Sequence, residues 1–318
     1  MRAAAVQLNS TEDQGRNLEV AERLVREAAA DGAELVSLPE KWTILAGPDE
    51  VRAGAEPLDG PSLTAAAAWA RELGIHLVAG SIPERVEGRE RLFNTSVLLG
   101  PEGEIAAIYR KIHMFDVDVG GVSYRESATE EPGEEIVLAD AGAIPVGMTV
   151  CYDLRFPELY RILAIRGARV ITVPAAFTEH TGRDHWEVLV RARAIENQVF
   201  VIAADQVGEA PPHYDSFGRS MIVDPWGVVL AQAPDTECFV AADLDLAIQE
   251  EMRRSLPSLA NRRPQAYRWP DENLKRRAED LEDHRPVQTP APAAAGQPGP
   301  PELPDEPSMA AGPTPGGV

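Results

Sequence analysis

Cysteine is scarce in this chain: 318 residues contain two, Cys151 and Cys238. Two cysteines cannot build a disulfide framework, so the signature of an oxidising compartment is missing. Positive charge is also short. Lys and Arg number 30 against 51 Asp and Glu, a formal net charge of −21 at pH 7, which argues against nucleic acid or an anionic membrane as a partner. No run of about 18 uninterrupted apolar residues occurs, so no membrane span is expected. The opening MRAAAVQLNS turns polar too soon for a signal peptide. No G-x-G-x-x-G follows the first strand-like stretch, so the dinucleotide-binding fingerprint is absent as well. A cytoplasmic protein is the expectation these absences leave.

The hydrophobic content, 44%, is ordinary for a globular protein with a sizeable core. The far end differs in kind. Ten of the 27 prolines fall at or after Pro286, among Ala, Gly and a few acids. Such a composition buries too little apolar surface to offset its ordering entropy. Residues 286–318 therefore read as a disordered tail, and 271–285 as a charged segment with a possible helix. Residues 1–270 form the remaining domain.

That domain alternates strands and helices. RAAAVQL reads as a strand, Asn17–Ala30 as a helix with apolar spacing at Leu18, Ala21, Leu24, Val25 and Ala28, and GAELVSLP as a buried strand. Ser62–Leu73 follows as a helix, GIHLVAGS as a strand, and NTSVLLGPEGEIAAIY as a hairpin. The apolar run Ile136–Val150 reads as a strand ending at Cys151, and Pro157–Arg166 as a helix stopped by Gly167. The pattern also repeats. GIHLVAG parallels QVFVIAA and SVLLGPEGEIAA parallels SMIVDPWGVVLA, both 124 residues apart, and GAELVSLPEKW parallels GARVITVPAAF at a nearby offset. Three matches in one order indicate two related α/β halves. Packing sheet against sheet, with helices outside, gives a four-layer α-β-β-α sandwich.

Cys151 stands where an apolar strand gives way to YDLR. A free cysteine is most often a small buried hydrophobe, and Cys238 in TECFVAADLDL reads that way. At Cys151 three features point to chemistry. The carboxyl ends of strands face ligands in α/β folds. The following helix would supply N–H groups and a positive dipole end that lower a thiol pKa. Tyr152, Asp153 and Arg155 put polar groups where a core cysteine would have apolar ones.

Such a nucleophile needs a base, and none of the six histidines has a compelling context. Glu40, which ends the strand LVSLP next to Trp42, is one candidate, since a carboxyl against an apolar wall can act as acid and base in turn. A solvated loop acid is the equal alternative. Lys111 in YRKIHMFD has the apolar neighbours Ile112, Met114 and Phe115, which imply partial burial and hence an acidic partner.

LPEKW, YRKIHMFD and TVCYDLRFPELYR resemble, in order and separation, the Glu, Lys and Cys motifs of the nitrilase superfamily of carbon–nitrogen hydrolases. GSIPER, NTSVLLGPEGEI, HWEVLVRARAIENQ and SMIVDPWG extend the resemblance over roughly residues 1–267. IHMFDVDV, YRES, CYDLRFPEL and the TG…HWE segment are most similar to the branch holding omega-amidases and deaminated-glutathione amidases. The resemblance implies Cys151 as nucleophile, Glu40 as general base, and Lys111 with the backbone N–H of Tyr152 as oxyanion stabilisers. It implies Glu126, in YRES, as a second glutamate that orients the lysine and the substrate nitrogen. It further implies the four-layer sandwich paired into a homodimer, and neither metal nor organic cofactor.

Arg155, four residues past Cys151, suits bidentate contact with a substrate carboxylate, and a structural pair with Glu158 or Asp153 is the alternative. In the related amidases an Arg, a Phe and a Thr line the carboxylate end of the pocket, which implies that role for Arg155, Phe177 and Thr181. The stretch TGRDHWE departs from the branch by lacking a Pro-Ala between Gly and His, and puts Arg183 and Asp184 near the pocket rim. The expected activity is hydrolysis of a small carboxylate-bearing linear amide to acid and ammonia through a thioester. An N-carbamoyl amidohydrolase, which would also release carbon dioxide, and a non-catalytic binding module on the same fold are the alternatives. The presence of all four site residues speaks against the module.

Overall fold

Strict alternation along the first strand, Arg2–Gln7, sends Ala3 and Ala5 to one face and Ala4 and Val6 to the other, yet all four are fully buried. A strand buried on both faces needs a layer on each side, and the computed structural model, which describes residues 1–210 and 214–267, supplies both. Ala3, Ala5, Leu35, Val78 and Leu98 pack into the core that holds the second sheet. Ala4, Val6, Val36, Leu77, Val97 and Leu99 pack against helices Gln14–Ala30 and Pro61–Leu73 through Leu24, Val25, Leu63 and Trp69. Helices Pro157–Ile165 and Glu179–Asn197 cover the outer face of the other sheet with Leu159, Leu163, Trp186 and Val190. The result is the four-layer α-β-β-α sandwich.

The repeat in the sequence is a repeat in topology. In the first sheet Arg2–Gln7, Leu35–Ser37 and His76–Val78 run parallel, followed by the antiparallel hairpin of Phe93–Leu99 and Ile105–Arg110. In the second, Ile144–Met148, Val170–Ala175 and Phe200–Asp205 run parallel, followed by Met221–Val223 and Val229–Gln232. After each hairpin the chain changes sheets. Leu138–Ala141 joins the second sheet beside Ile144–Met148, and Cys238–Asp243 returns to the first beside Arg2–Gln7. Each half thus edges the sheet of the other.

Three expectations need correction here. Ile136–Val150 is not one strand but a hairpin, Leu138–Ala141 and Ile144–Met148, reversing at Gly142, whose φ is +63°. The first helix begins at Gln14 and not at Asn17; Leu18 packs on the core only partly buried, while Asn17 is buried, its side-chain amide donating to the carbonyls of Thr11 and Thr43 at 2.8 and 2.9 Å. Cys238 is half-buried on an edge strand rather than in the core, because that strand has a neighbouring strand on one side only. One compact unit runs Met1–Arg262, and the described residues beyond it, 263–267, hold a short 3₁₀ turn at Pro264–Ala266. The expectations for residues 271–285 and 286–318 lie outside the described residues. Among the described residues no helix is long and apolar enough to cross a membrane.

The carboxyl ends of the parallel strands of both sheets meet at one end of the sandwich, where Glu40 N–H donates to the carbonyl of Ala175. Gly80 shapes that end. It is left-handed, with φ +44°, and a Cβ there would stand 2.0 Å from the carbonyl oxygen of Pro39, next to Glu40. Gly80→Ala is therefore expected to lower stability by about 2–4 kcal/mol, measured by urea unfolding. A change under about 0.5 kcal/mol would show that the loop gives way freely.

Candidate active site

The eight residues given a catalytic or substrate-binding role in the sequence all line one cavity of about 190 Å³: Glu40, Lys111, Glu126, Cys151, Tyr152, Arg155, Phe177 and Thr181. The fold gathers them from strand ends. Glu40 follows the strand Leu35–Ser37, Lys111 follows Ile105–Arg110, and Cys151 follows Ile144–Met148, while Phe177 and Thr181 lie just beyond Val170–Ala175.

Lys111 is the centre of the cluster. Its ammonium, 2% exposed, donates to Glu40 Oε1 at 2.9 Å and to both oxygens of Glu126 at 2.9 Å. Burial lowers the Lys111 pKa, but Glu126 and Glu40 outweigh it and hold the ammonium well above its usual range. Glu40 is buried, so the solvated-acid alternative falls. The carboxylate is held by donors and not by an apolar wall: besides Lys111, Asn94 Nδ2 reaches Oε1 at 2.7 Å and Ala176 N–H reaches Oε2 at 2.9 Å. Trp42 turns away into the helix-side core, its indole N–H bound to the Ala79 carbonyl at 2.8 Å and its ring 6.0 Å from that of Trp69.

The turn that carries Cys151 also departs from expectation. Cys151–Arg155 is a 3₁₀ turn, and the α-helix begins only at Pro157, so the helix N-terminus does not act on the sulfur. The thiol pKa is raised well above its ordinary value, first by burial and then by the charge of Glu40 and a hydrogen bond to it, against the opposing pull of Lys111. Cys151 is itself left-handed, φ +45°, a conformation that costs a non-glycine residue of order 1–3 kcal/mol and persists only where neighbours enforce it. Asp153 enforces it. Fully buried, it accepts from Val150 N–H at 2.8 Å, Tyr109 Oη at 2.6 Å and His113 N–H at 3.2 Å. His113 stacks on Phe156 and does not line the cavity, whereas Glu40 lines it and is hydrogen-bonded to the thiol.

Arg155 pairs with neither Glu158 nor Asp153. Among the described residues it makes no ion pair. Its guanidinium lies over the Phe177 ring at 5.0 Å, with Nη1 3.2 Å from His185 Nδ1. Thr181 Oγ1 meets Thr178 Oγ1 at 2.8 Å. Arg183 and Asp184 line a neighbouring cavity, to which Tyr124 and Thr178 also belong.

Sequence reasoning missed Asn94, which donates to Glu126 Oε1 at 3.2 Å as well as to Glu40, together with Lys41, Glu130 and Asp153. Asn94 opens a strand flagged only for its hairpin. Lys41 sits inside LPEKW and Glu130 four residues past Glu126, where spacing alone gives no sign of a common cavity. Among the described residues no group of three or more His, Cys, Asp or Glu side chains is arranged to hold a metal ion.

A buried sulfur, a carboxylate hydrogen-bonded to it and an ammonium at one cavity floor define a hydrolase-type site on an α-β-β-α sandwich. A family model described as carbon-nitrogen hydrolase matches residues 2–254, and the chain belongs to that family. It is a hydrolase acting on carbon–nitrogen bonds other than peptide bonds. Omega-amidase NIT2 of Homo sapiens is 40% identical over 84% of this chain and 96% of its own. The solved structure of Saccharomyces cerevisiae Nit3, a member of branch 10 of the nitrilase superfamily, is 32% identical, with a TM-score of 0.74 over 81% of this chain and 94% of that one. The NitFhit protein of C. elegans matches with a TM-score of 0.78 and 33% identity over 84% of this chain, which spans 66% of that longer one.

The electrostatics of the sulfur give a test. Removing the charge of Glu40 removes one cause of the raised thiol pKa while Lys111 stays. In Glu40→Gln the midpoint of Cys151 alkylation by iodoacetamide is expected to fall by about one pH unit or more. An unchanged or higher midpoint would mean that Glu40 does not act on the sulfur.

Proposed function

We propose that the protein is a cysteine-dependent amidase that converts a small carboxylate-bearing linear amide to acid and ammonia, as omega-amidases do. The observation that carries this reading is Arg155, which makes no ion pair among the described residues and lines the same small cavity as Cys151, Glu40 and Lys111. A guanidinium without a carboxylate partner suits a carboxylate on the substrate. Phe177 carries it from below and Thr181 lines the same wall.

The residues account for each step. Glu40 takes the thiol proton as Cys151 attacks the amide carbonyl, so the costly thiolate need not accumulate in the free enzyme. Lys111 and the backbone N–H of Tyr152 stabilise the tetrahedral oxyanion, one such donor being worth about 3–4 kcal/mol. Glu126 keeps Lys111 oriented and faces the leaving nitrogen. Glu40 returns the proton to that nitrogen, ammonia departs, and a thioester remains on Cys151. A water that gives its proton to the same Glu40 then attacks the thioester, releasing the acid and restoring the thiol. No step calls for a metal or an organic cofactor.

Two wider expectations take their support from the surface. Ile162, Ile165, Val188, Ile195 and Trp226 are exposed apolar side chains, four of them on the two helices that cover the second sheet. A homodimer that buries this face fits them. Both cysteines are free, which fits a cytoplasmic setting.

The test is ammonia release from monoamides of dicarboxylic acids, deaminated glutathione and N-carbamoyl amino acids. Cys151→Ala is expected to lose more than about a thousandfold in kcat. Arg155→Met should raise KM for the carboxylate-bearing amide by about 10- to 100-fold and leave an uncharged amide of equal length unaffected. Carbon dioxide evolved alongside ammonia would instead favour the N-carbamoyl reading, and equal losses on charged and uncharged amides would remove Arg155 from substrate binding.

A further inference from the structure

Beside the Glu40–Lys111–Glu126 cluster lies a second buried pair that the mechanism does not use. Lys41 Nζ meets Glu130 Oε1 at 2.6 Å and stands 3.8 Å from Glu126 Oε1. Glu130 is fully buried. Both residues line the reaction cavity. The pair joins two loops that each carry a carboxylate of the site. Lys41 directly follows Glu40 and is left-handed, φ +51°, with its N–H bound to Ser81 Oγ at 3.0 Å. Glu130 follows the 3₁₀ turn that begins at Glu126 and is fixed by a backbone bridge to Leu92.

We propose, building on the amidase reading, that Lys41 is a positioning residue for the reaction: anchored by Glu130, it supplies the second ammonium that holds the Glu126 carboxylate in place for Lys111. Lys111 alone is shared, since it donates to Glu40 as well as to Glu126. Without Lys41, Glu130 would stay protonated and Glu126 would share one ammonium with Glu40, and two buried carboxylates at this spacing drive a proton onto one of them. A protonated Glu126 would release Lys111 toward Glu40 and weaken the base.

The charged groups around Glu126 agree with this assignment. Facing it are Lys111 from the strand end, Lys41 and Glu40 from the neighbouring loop, and Glu130 from its own turn; Asn94 and the Phe115 N–H, at 2.7 Å, complete its contacts. Burial pushes the Glu126 carboxyl up, but Lys111 and then Lys41 outweigh it and bring it down to about 2. Glu130, by contrast, is pushed up to about 7, first by burial and, against the pull of Lys41, by the charge of Glu126. The ionised carboxylate is the one between the two lysines. Because its pKa is depressed, the contribution of ionised Glu126 is present at neutral pH and is lost only as pH falls through its folded-state value.

The experiment compares the wild type with Lys41→Met and Lys41→Arg. Two readouts are followed: the acid limb of kcat/KM on the amide, and the 13C carboxyl titration of Glu126, assigned with Glu126→Gln. In the wild type Glu126 should stay ionised down to the lowest pH at which the fold persists. In Lys41→Met its titration should enter the folded range, at least about one pH unit higher. The acid limb should move with it, kcat should fall roughly tenfold or more, and KM should stay within about threefold. Lys41→Arg should restore both readouts. A Lys41→Met variant whose Glu126 titrates as in the wild type, or whose loss is uniform in pH and follows its melting temperature, would overturn the proposal. The carboxyl titration needs no turnover, so it decides the matter even if the amide panel fails and the amidase reading with it.

Discussion

A lysine ammonium taken out of water costs several kcal/mol unless carboxylates and hydrogen bonds surround it, and Lys111 is 2% exposed. Glu40 and Glu126 meet that demand from two different loops. The requirement runs both ways, since neither carboxylate can be buried there without the lysine. Asn94 then bridges the two acids, and the Ala176 N–H, from the second sheet, takes the remaining oxygen of Glu40. The ion cluster thus ties both sheets together at the end where the chemistry sits.

The exchange of edge strands makes this juncture rigid. Leu138–Ala141 and Cys238–Asp243 each leave their own half to pair in the sheet of the other, so the halves cannot separate without breaking strand pairing. Rigidity matters because Cys151 and Lys41 both adopt left-handed backbone conformations. Such residues are kept in place by their surroundings. Asp153 does this for Cys151, and Glu130 with Ser81 does it for Lys41. The strained positions flank the reactive groups, and the buried acids that hold them are themselves held by the fold.

A raised thiol pKa looks at odds with nucleophilic chemistry, yet it follows from putting a base beside the sulfur. The negative charge that makes Glu40 useful as a proton acceptor also disfavours a standing thiolate. In the proposed mechanism the proton moves when a carbonyl is present to take the sulfur's electrons.

The sequence by itself determined the two α/β halves, the layer order, the strand-end positions of Glu40 and Cys151, and the need of Lys111 for an acid. Each of these rests on local information: apolar alternation, a repeated pattern, a charge set among apolar neighbours. Tertiary structure decided the rest. It turned Ile136–Val150 into a hairpin because Gly142 permits the reversal, and it sent Trp42 to the helix side, where its indole N–H reaches the Ala79 carbonyl. It freed Arg155 because Asp153 was already committed to Tyr109 and the Cys151 turn. It also brought Lys41 and Glu130 to the cavity, and Asn94 against Glu40 and Glu126, from segments far apart in the chain. Charge pairing of that kind depends on distances between loops, and spacing along a sequence does not record them.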